Sequence, residues 1–336
     1  MSLHGGYVLL PQPIEEEALE LLQENNLEVV QASDPKEGTV GPLMKKARAI
    51  ILRTGIAINE PLLNQAEDLW SISRTGGGVD NVDLVAATKR GVVVTSSLGV
   101  NTTSVVEHCC ALILTLFKQL FLLDREVRRG NFKIRYKNIP FDLRDKYLGI
   151  LGFGRIGSEV ARACKNAFGM QILAHDIYLS DDHEKQHSSW VTFVSLDELF
   201  RRSDVISIHL PLNDETRGMV SLKYLSLMKR NAFVINTSRG GVIVEQDLLN
   251  ALNESVIKGA GLDVFAEEPL QSDNPFVKLE NVILTPHTAA LTRECVVRMA
   301  TSAVQRVLDI FHGFIPENIA NPEVLENPKW KSLKKK

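Results

Sequence analysis

Short apolar runs bounded by polar, glycine- or proline-bearing stretches recur along most of this chain, and segments with apolar residues at helical spacing lie between them. Between residues 147 and 286 the runs 148–151, 171–175, 205–208, 233–235, 260–262 and 282–284 predict six strands. Each is short and apolar on both faces, as burial under helices requires. Segments 158–167, 195–201, 222–227 and 245–252 predict the covering helices. Regular alternation of strand and helix is the pattern of a doubly wound parallel sheet, an α/β architecture.

A smaller pattern of the same kind comes first. Residues 7–10, 49–52, 71–73 and 92–94 predict strands, with helices at 15–22 and 61–66 to cover them. Residues 291–308 predict another helix, too far from any remaining strand to extend the larger sheet. The chain is therefore expected to leave a smaller domain, build a larger one and return. The smaller domain takes residues 1–101 and 289–336, the larger 102–288. Two crossings predict a two-part hinge and a cleft between domains. Residues 101–120 read as one long helix that makes the first crossing. Val105, Val106, Ala111, Leu112, Leu114, Leu116, Phe117 and Phe121 make it apolar nearly all round, so it should be buried on most sides.

Chemistry enters where the first strand of the larger domain ends, in Leu148-Gly149-Ile150-Leu151-Gly152-Phe153-Gly154-Arg155-Ile156-Gly157. Gly152 permits a tight turn, Gly154 lets backbone approach a pyrophosphate, and Gly157 lets helix and strand pack closely. The helix that follows, over 158–167, offers unpaired N–H groups and its positive dipole end to phosphates, with Arg155 and Ile156 beside them at the cofactor. About 20 residues on, the second strand ends in Asp176, an acid placed to accept hydrogen bonds from an adenosine ribose. Ile177 and Tyr178 follow, where a 2′-phosphate would want an arginine, so the expected cofactor is NAD. The alternative for Asp176 is that it caps a turn.

Composition narrows the class. Lys plus Arg number 38 against 41 Asp plus Glu in 336 residues, so no global basic field argues for nucleic acid. The longest apolar stretch, 109–117, is too short for a bilayer, and residues 1–6 lack the pattern of a signal peptide. No membrane partner is expected, and cytoplasmic location follows by default. Cys109, Cys110, Cys164 and Cys295 show neither zinc-ligand spacing nor a C-x-x-C pair, and no metal is expected. Arg125, Arg128, Arg129, Lys133, Arg135 and Lys137 form a basic stretch that reads first as a solvated face, and secondly as part of an anionic substrate site.

Three polar residues each follow a predicted strand of the larger sheet, whose carboxyl ends are where such sheets place ligands. They are Arg239, after Asn236-Thr237-Ser238; Glu268, after Leu262-Asp263-Val264-Phe265-Ala266-Glu267 and before Pro269; and His287, after Thr285-Pro286 and before Thr288-Ala289-Ala290. These segments resemble three motifs of the D-isomer-specific 2-hydroxyacid dehydrogenase family. His209-Leu210-Pro211-Leu212, with Thr216 behind it, is similar to a fourth. Arg74-Thr75-Gly76-Gly77-Gly78-Val79-Asp80-Asn81-Val82-Asp83 resembles the loop that faces the substrate carboxylate in that family, and Asn101 with Val106-Glu107-His108 the start of its connecting helix. The match runs from about residue 49 to 321, in the family's order.

The resemblance implies a Rossmann-type sheet in the larger domain and a flavodoxin-like α/β domain built from both chain ends. It implies His287 as acid/base, Glu268 as the carboxylate holding its other ring nitrogen, and Arg239 as ligand of the substrate's carboxylate and carbonyl side. Pro211, Thr237, Ser238, Asp263 and Ala290 would join the glycine loop at the cofactor. Gly76, Gly77 and Gly78 would offer backbone N–H groups to the acid, alongside Arg53, Arg74 and Asn101. Gly77 often carries a side chain in relatives, and Ser238 stands where alanine is also common.

The phosphoglycerate dehydrogenase branch is the closest in residues 74–83 and 146–157, which implies 3-phosphoglycerate and 3-phosphohydroxypyruvate as substrates. Glyoxylate or hydroxypyruvate reduction is the alternative, since both arginines suit an unphosphorylated acid too. NAD-binding transcriptional corepressors of the same family are a rival of another class, against which the lack of a long disordered tail weighs. Residues past about 310 leave no room for a C-terminal amino-acid-sensing domain, so serine feedback through one is not expected. Relatives imply a homodimer formed through the NAD domain with the helix at 101–120 in the interface.

Overall fold

The computed structural model describes residues 6–336, apart from the side chain of Asp181. The leader reading of residues 1–6 falls, Gly6 apart, outside that span. The chain divides into two compact units, one of residues 1–101 and 291–336 and the other of 102–290.

In the smaller unit the chain runs through β1 (Tyr7–Leu10), α1 (Glu16–Glu24), β2 (Val29–Gln31), α2 (Glu37–Met44), β3 (Ala47–Leu52), α3 (Glu60–Leu63), β4 (Ser71–Arg74), α4 (Leu84–Lys89) and β5 (Val93–Ser96). The strands form one parallel sheet in the order β2-β1-β3-β4-β5, the flavodoxin-like order. Ile50, Ile51 and Leu52 are all fully buried, on both faces of β3, because helices cover each side.

The larger unit comprises α5 (Thr102–Lys118), α6 (Leu120–Arg128), β6 (Tyr147–Leu151), α7 (Arg155–Phe168), β7 (Gln171–His175), α8 (Asp181–His187), β8 (Val191–Phe193), α9 (Leu196–Arg202), β9 (Val205–Ile208), α10 (Leu222–Leu225), β10 (Phe233–Asn236), α11 (Glu245–Asn253), β11 (Gly259–Leu262) and β12 (Val282–Leu284). Its seven parallel strands lie in the order β12-β11-β10-β9-β6-β7-β8, a Rossmann-type sheet with its switch point between β6 and β9. Helix α7 buries Gly157, Val160, Ala161 and Cys164, one stripe at helical spacing, and ends on Gly169 at φ +68°.

After the larger unit, α12 (Arg293–Phe311) returns to the smaller one. Thr292 caps it by accepting a hydrogen bond from Cys295 N–H at 3.2 Å. Its buried stripe includes Met299, Ala300, Ala303, Val304 and Val307, and Ser73 Oγ of β4 donates to the Ala303 carbonyl at 2.8 Å.

The structure corrects several expectations. The larger sheet has a seventh strand, β8, and the smaller one a fifth, β2. Both are edge strands of three residues, too short for an apolar alternation to stand out. Helix α2, which the sequence pattern does not predict, contains Pro42, a residue that disfavours a helix interior. The helix read over 101–120 ends at Lys118: Gln119 takes a left-handed conformation at φ +51°, and the chain bends by 56° into α6. Helix α5 does bury Val105, Leu112, Leu116 and Phe117, but Ala111 is exposed and α6 buries none of its residues. Leu120, Phe121 and Val127 are exposed on α6. In the basic stretch Arg125, Arg128 and Arg129 pair with Glu280, Asp124 and Glu126, while Arg135 lies over the rings of Phe132 and Tyr136. Among the described residues no single helix is long and apolar enough to cross a membrane.

One half-buried group makes the larger unit acid-sensitive. His209, just past β9, sits within 2.9 Å of Ser207 Oγ, and burial pushes its imidazole down to about 3 from an ordinary 6.5. Between those values the unfolded chain takes up a proton that the folded chain refuses. Stability is therefore full above about pH 6.5 and is lost as pH falls toward 3, by up to about 1.4 kcal/mol per pH unit from this residue. Urea titrations at pH 7 and pH 5 should show the drop, and His209→Gln should flatten it. An equal drop in the variant would clear His209 of the effect.

Candidate active site

The turn between β6 and α7 is built by contacts that side chains would break. A Cβ on Gly157 would stand 2.1 Å from the carbonyl oxygen of Gly152, and one on Gly152, at φ +94°, would stand 2.9 Å from the carbonyl oxygen of His209. Around Gly154, by contrast, nothing among the described residues lies within 4 Å of where a Cβ would be. Gly154 is also the N-cap of α7 and supplies no side chain to the first turn, so the N–H groups that open at Arg155 and Ile156 face that space without a side-chain cap. A bare loop with open space beside it and a helix N-terminus behind it fits a dinucleotide pyrophosphate.

Asp176, at the end of β7, is tied into the same turn. Its Oδ2 accepts from Phe153 N–H at 2.8 Å and its Oδ1 from Tyr178 N–H at 2.9 Å. The carboxylate thus caps the turn, as its alternative reading expects. Each oxygen retains a lone pair, so capping and ribose binding are compatible.

On the other side of the switch point, loops after β10, β11 and β12 carry Arg239, Glu268 and His287. Buried Asn236 shapes the first. Its side-chain oxygen accepts from Ser238 N–H and Oγ–H at 3.0 and 2.8 Å, and its amide donates to the Arg239 carbonyl at 2.9 Å. The Arg239 guanidinium donates to the Ser238 carbonyl at 2.7 Å, and Thr237 Oγ1 lies 3.1 Å from the buried Cys109 thiol. Gly240 then lets this loop touch the next: a Cβ there would fall 1.9 Å from the backbone carbon of Phe265.

Glu268 and His287 meet directly. His287 Nδ1 and Glu268 Oε2 are 2.7 Å apart, and Glu268 Oε1 accepts from Phe265 N–H at 3.0 Å. Burial works to raise the Glu268 pKa. The hydrogen bonds from His287 and Phe265 and the charges of His287 and Arg239 outweigh it, and hold the carboxyl below the usual range. It is Glu268 and not its neighbour Glu267 that reaches the imidazole. His287 itself sits at φ +53°, a left-handed conformation that costs a residue with a Cβ about 1 kcal/mol or more. Its N–H bonds to the carbonyls of Asp263 and Thr285 keep it there.

Asp263 organises this turn from beneath. It is fully buried, and its carboxylate accepts from Thr285 Oγ1–H at 2.6 Å, Thr288 N–H at 2.8 Å and Ala289 N–H at 2.9 Å. His108 completes the cluster, with Nε2 3.1 Å from Thr285 Oγ1. Ala290 follows directly, half-buried. Pro211, exposed after β9, is held by Thr216 Oγ1–H donating to its carbonyl.

The smaller unit carries the remaining candidates. Arg53 and Arg74 line a cavity of about 310 Å³ with Gln12, Pro13, Thr54 and Met299 among the other walls. Arg74 Nε donates to Asn81 Oδ1 at 2.9 Å. Arg53 Nη1 donates to Glu15 Oε1 and to the Pro13 carbonyl, each at 3.1 Å. Asn101 lies beside Gly77, its side-chain amide 3.6 Å from where a Cβ would be, and Gly76 abuts the Arg74 guanidinium in the same way at 3.0 Å. Gly78 continues that loop, half-exposed like its two neighbours.

A sequence profile described as D-isomer specific 2-hydroxyacid dehydrogenase, NAD binding domain, matches residues 110–289. The chain is 39% identical over 329 residues to a glyoxylate reductase of Aeropyrum pernix, covering 95% of this chain and 97% of that one. It belongs to the D-isomer specific 2-hydroxyacid dehydrogenase family. Members of this family are oxidoreductases. The chain is also 36% identical over 319 residues to a D-3-phosphoglycerate dehydrogenase of Archaeoglobus fulgidus, where it covers 95% of itself but spans only 60% of that relative's length. Among solved structures, a D-lactate dehydrogenase from Aquifex aeolicus, complexed with NAD and lactic acid, superposes with a TM-score of 0.81 at 30% identity, covering 96% of this chain and 98% of the other.

Within this family frame, two features of the site escape a reading along the chain. Asn236 follows the predicted strand and ends β10, and nothing local says that its amide shapes the Arg239 loop. Glu15 reads as one of three acids opening α1, and its pairing with Arg53 spans 38 positions.

Proposed function

We propose that the protein is an NAD-dependent oxidoreductase that moves hydride between the nicotinamide and C2 of a D-2-hydroxy acid or its 2-oxo partner, with 3-phosphoglycerate and 3-phosphohydroxypyruvate as the pair. The observation that carries the reaction is the 2.7 Å contact between His287 and Glu268, on loops at the same sheet ends as Arg239 and the glycine turn. Residues 102–288 hold the dinucleotide in this reading, and residues 1–101 with 289–336 hold the acid.

When bound, the nicotinamide supplies or accepts the hydride. His287 moves the accompanying proton at Nε2, taking it from the C2 hydroxyl in oxidation and returning it to the carbonyl oxygen in reduction. Glu268 fixes the ring and its tautomer by accepting from Nδ1–H. Arg239 binds the carboxylate and carbonyl side of the acid and draws charge toward the oxygen. Backbone N–H groups at Gly76, Gly77 and Gly78, with Asn101, hold the carboxylate.

Gly152, Gly154, Arg155, Ile156 and Gly157 form the pyrophosphate turn, and Asp176 accepts from both ribose hydroxyls. Ile177 and Tyr178, in place of a cation, support NAD over NADP. The Aquifex aeolicus relative, crystallised with NAD and lactic acid, supports the same pairing of cofactor and acid.

Arg53 and Arg74 in one cavity support a phosphorylated acid, since two guanidinium forks suit a carboxylate and a phosphate. The Glu15 carboxylate already on Arg53 favours a second reading, in which the acid is hydroxypyruvate or glyoxylate. A cytoplasmic homodimer belongs to the proposal too. Phe121, Phe132, Tyr136 and Ile139 are each more than 60% exposed, an apolar area that a second copy would cover.

The test follows NADH and NADPH absorbance with phosphohydroxypyruvate, hydroxypyruvate, glyoxylate and pyruvate, with light scattering on the same preparation. Preference for NADH and the phosphorylated acid is the expected result. Turnover of unphosphorylated acids alone selects the second reading, turnover of none removes the reaction, and a single-chain mass removes the dimer.

A further inference from the structure

Arg53, which lines the cavity of the smaller unit, is paired with an internal anion, Glu15. Glu15 immediately precedes α1, whose first turn also carries Glu16 and Glu17. Those two are exposed and satisfy the positive end of the helix, whereas Glu15 turns toward Arg53 and keeps a side-chain exposure of only 18%. The strap that carries it is fastened to the Arg53 loop at three points. Arg53 Nη1 donates to Glu15 Oε1 and to the Pro13 carbonyl, and Gly55 N–H donates to Gln12 Oε1 at 2.8 Å. Arg53 is fixed from the other side as well, since Asn81 Nδ2 donates to its carbonyl at 2.9 Å and Asn81 Oδ1 receives Arg74.

We propose that Glu15 determines which acids this cavity accepts, by holding Arg53 as a resident counter-ion so that any second anionic group on the ligand must compete with it; the identity of the ligands rests on the oxidoreductase reading above. The charge that Arg53 presents to a ligand is thereby offset by Glu15. A monoanionic 2-oxo acid needs one cation for its carboxylate and is unaffected by the third group. A phosphorylated acid brings up to two further negative charges beside a carboxylate that is already seated. With the pair mostly out of solvent, that repulsion is screened far less than on an open surface. Among the described residues the hydrogen bonds of the Arg53 guanidinium all run through Nη1, so Nε and Nη2 stay free to hold a ligand oxygen. Glu15 therefore tunes the cavity without closing it.

The experiment compares wild type, Glu15→Gln and Glu15→Asp for NADH-dependent reduction of phosphohydroxypyruvate and hydroxypyruvate. Each protein is also titrated with inorganic phosphate, followed by NMR. Glu15→Gln is expected to raise the ratio of kcat/KM, phosphorylated over unphosphorylated, by about tenfold or more, chiefly through KM, and to tighten phosphate binding on the same order. Glu15→Asp, which restores the charge, should bring the ratio back to within about threefold of wild type. An unchanged ratio and unchanged phosphate affinity in Glu15→Gln overturns the proposal, as does an equal rise in Glu15→Asp. If wild type reduces neither acid, the oxidoreductase reading falls, and the phosphate titration alone decides the role of Glu15.

Discussion

Replacing His287 by asparagine should lower kcat for 2-oxo acid reduction by about a thousandfold, within the range of a lost acid/base group, and leave dinucleotide affinity within about twofold. Asparagine is the informative substitute because His287 stands at φ +53°, and asparagine tolerates that left-handed conformation better than alanine does. The variant therefore keeps the turn fastened by Asp263 while removing the proton carrier. Thermal melting and NADH fluorescence titration separate the two effects. A melt like wild type with kcat lost assigns the loss to chemistry, and a kcat within tenfold of wild type would remove His287 from proton transfer. Glu268→Gln should cost less, about ten- to a hundredfold in kcat. It keeps a hydrogen-bond partner for Nδ1 and loses only the carboxylate charge beside the ring.

The second large effect is steric. Gly157→Ala puts a methyl group 2.1 Å from the Gly152 carbonyl oxygen and 2.9 Å from Ile150 Cγ2. The obstacle is backbone in a tight turn, so α7 must lift from the sheet. A cost of about 3 kcal/mol or more is expected, at or above the usual upper range for overpacking, along with a loss of dinucleotide affinity of about a hundredfold or more. Gly154→Ala is the matched control. Its Cβ meets nothing within 4 Å among the described residues, so the melt should stay at the wild-type temperature while dinucleotide affinity still falls. A Gly157→Ala protein that melts like wild type would contradict the close approach on which the turn depends.

Strand and helix order was legible along the chain wherever an element was long enough to show its period. β6, β7, β9, β10, β11 and β12 are largely apolar runs, because a strand covered on both faces has few polar positions to place. The three-residue edge strands β2 and β8 carry too few residues for any period, and they form because a neighbouring strand offers unpaired backbone groups. The break at Gln119 was equally silent, since apolar residues continue across it into Leu120 and Phe121.

The sequence by itself determined the two sheets, the glycine turn at Gly152–Gly154–Gly157, and the strand-end positions of Arg239, Glu268 and His287. Each of these rests on residues adjacent in the chain: a period, a turn, or a run followed by a polar residue. Tertiary structure alone decided the contacts between loops. It brought Glu268 Oε2 to His287 Nδ1, placed Asp263 beneath the Thr285–Ala289 turn, and set Glu15 on Arg53 across 38 positions. The physical reason is that periodicity is a local property of the chain. The partner of a buried or half-buried charge is whichever group the packed sheets leave within about 3 Å, and no spacing along the chain records it.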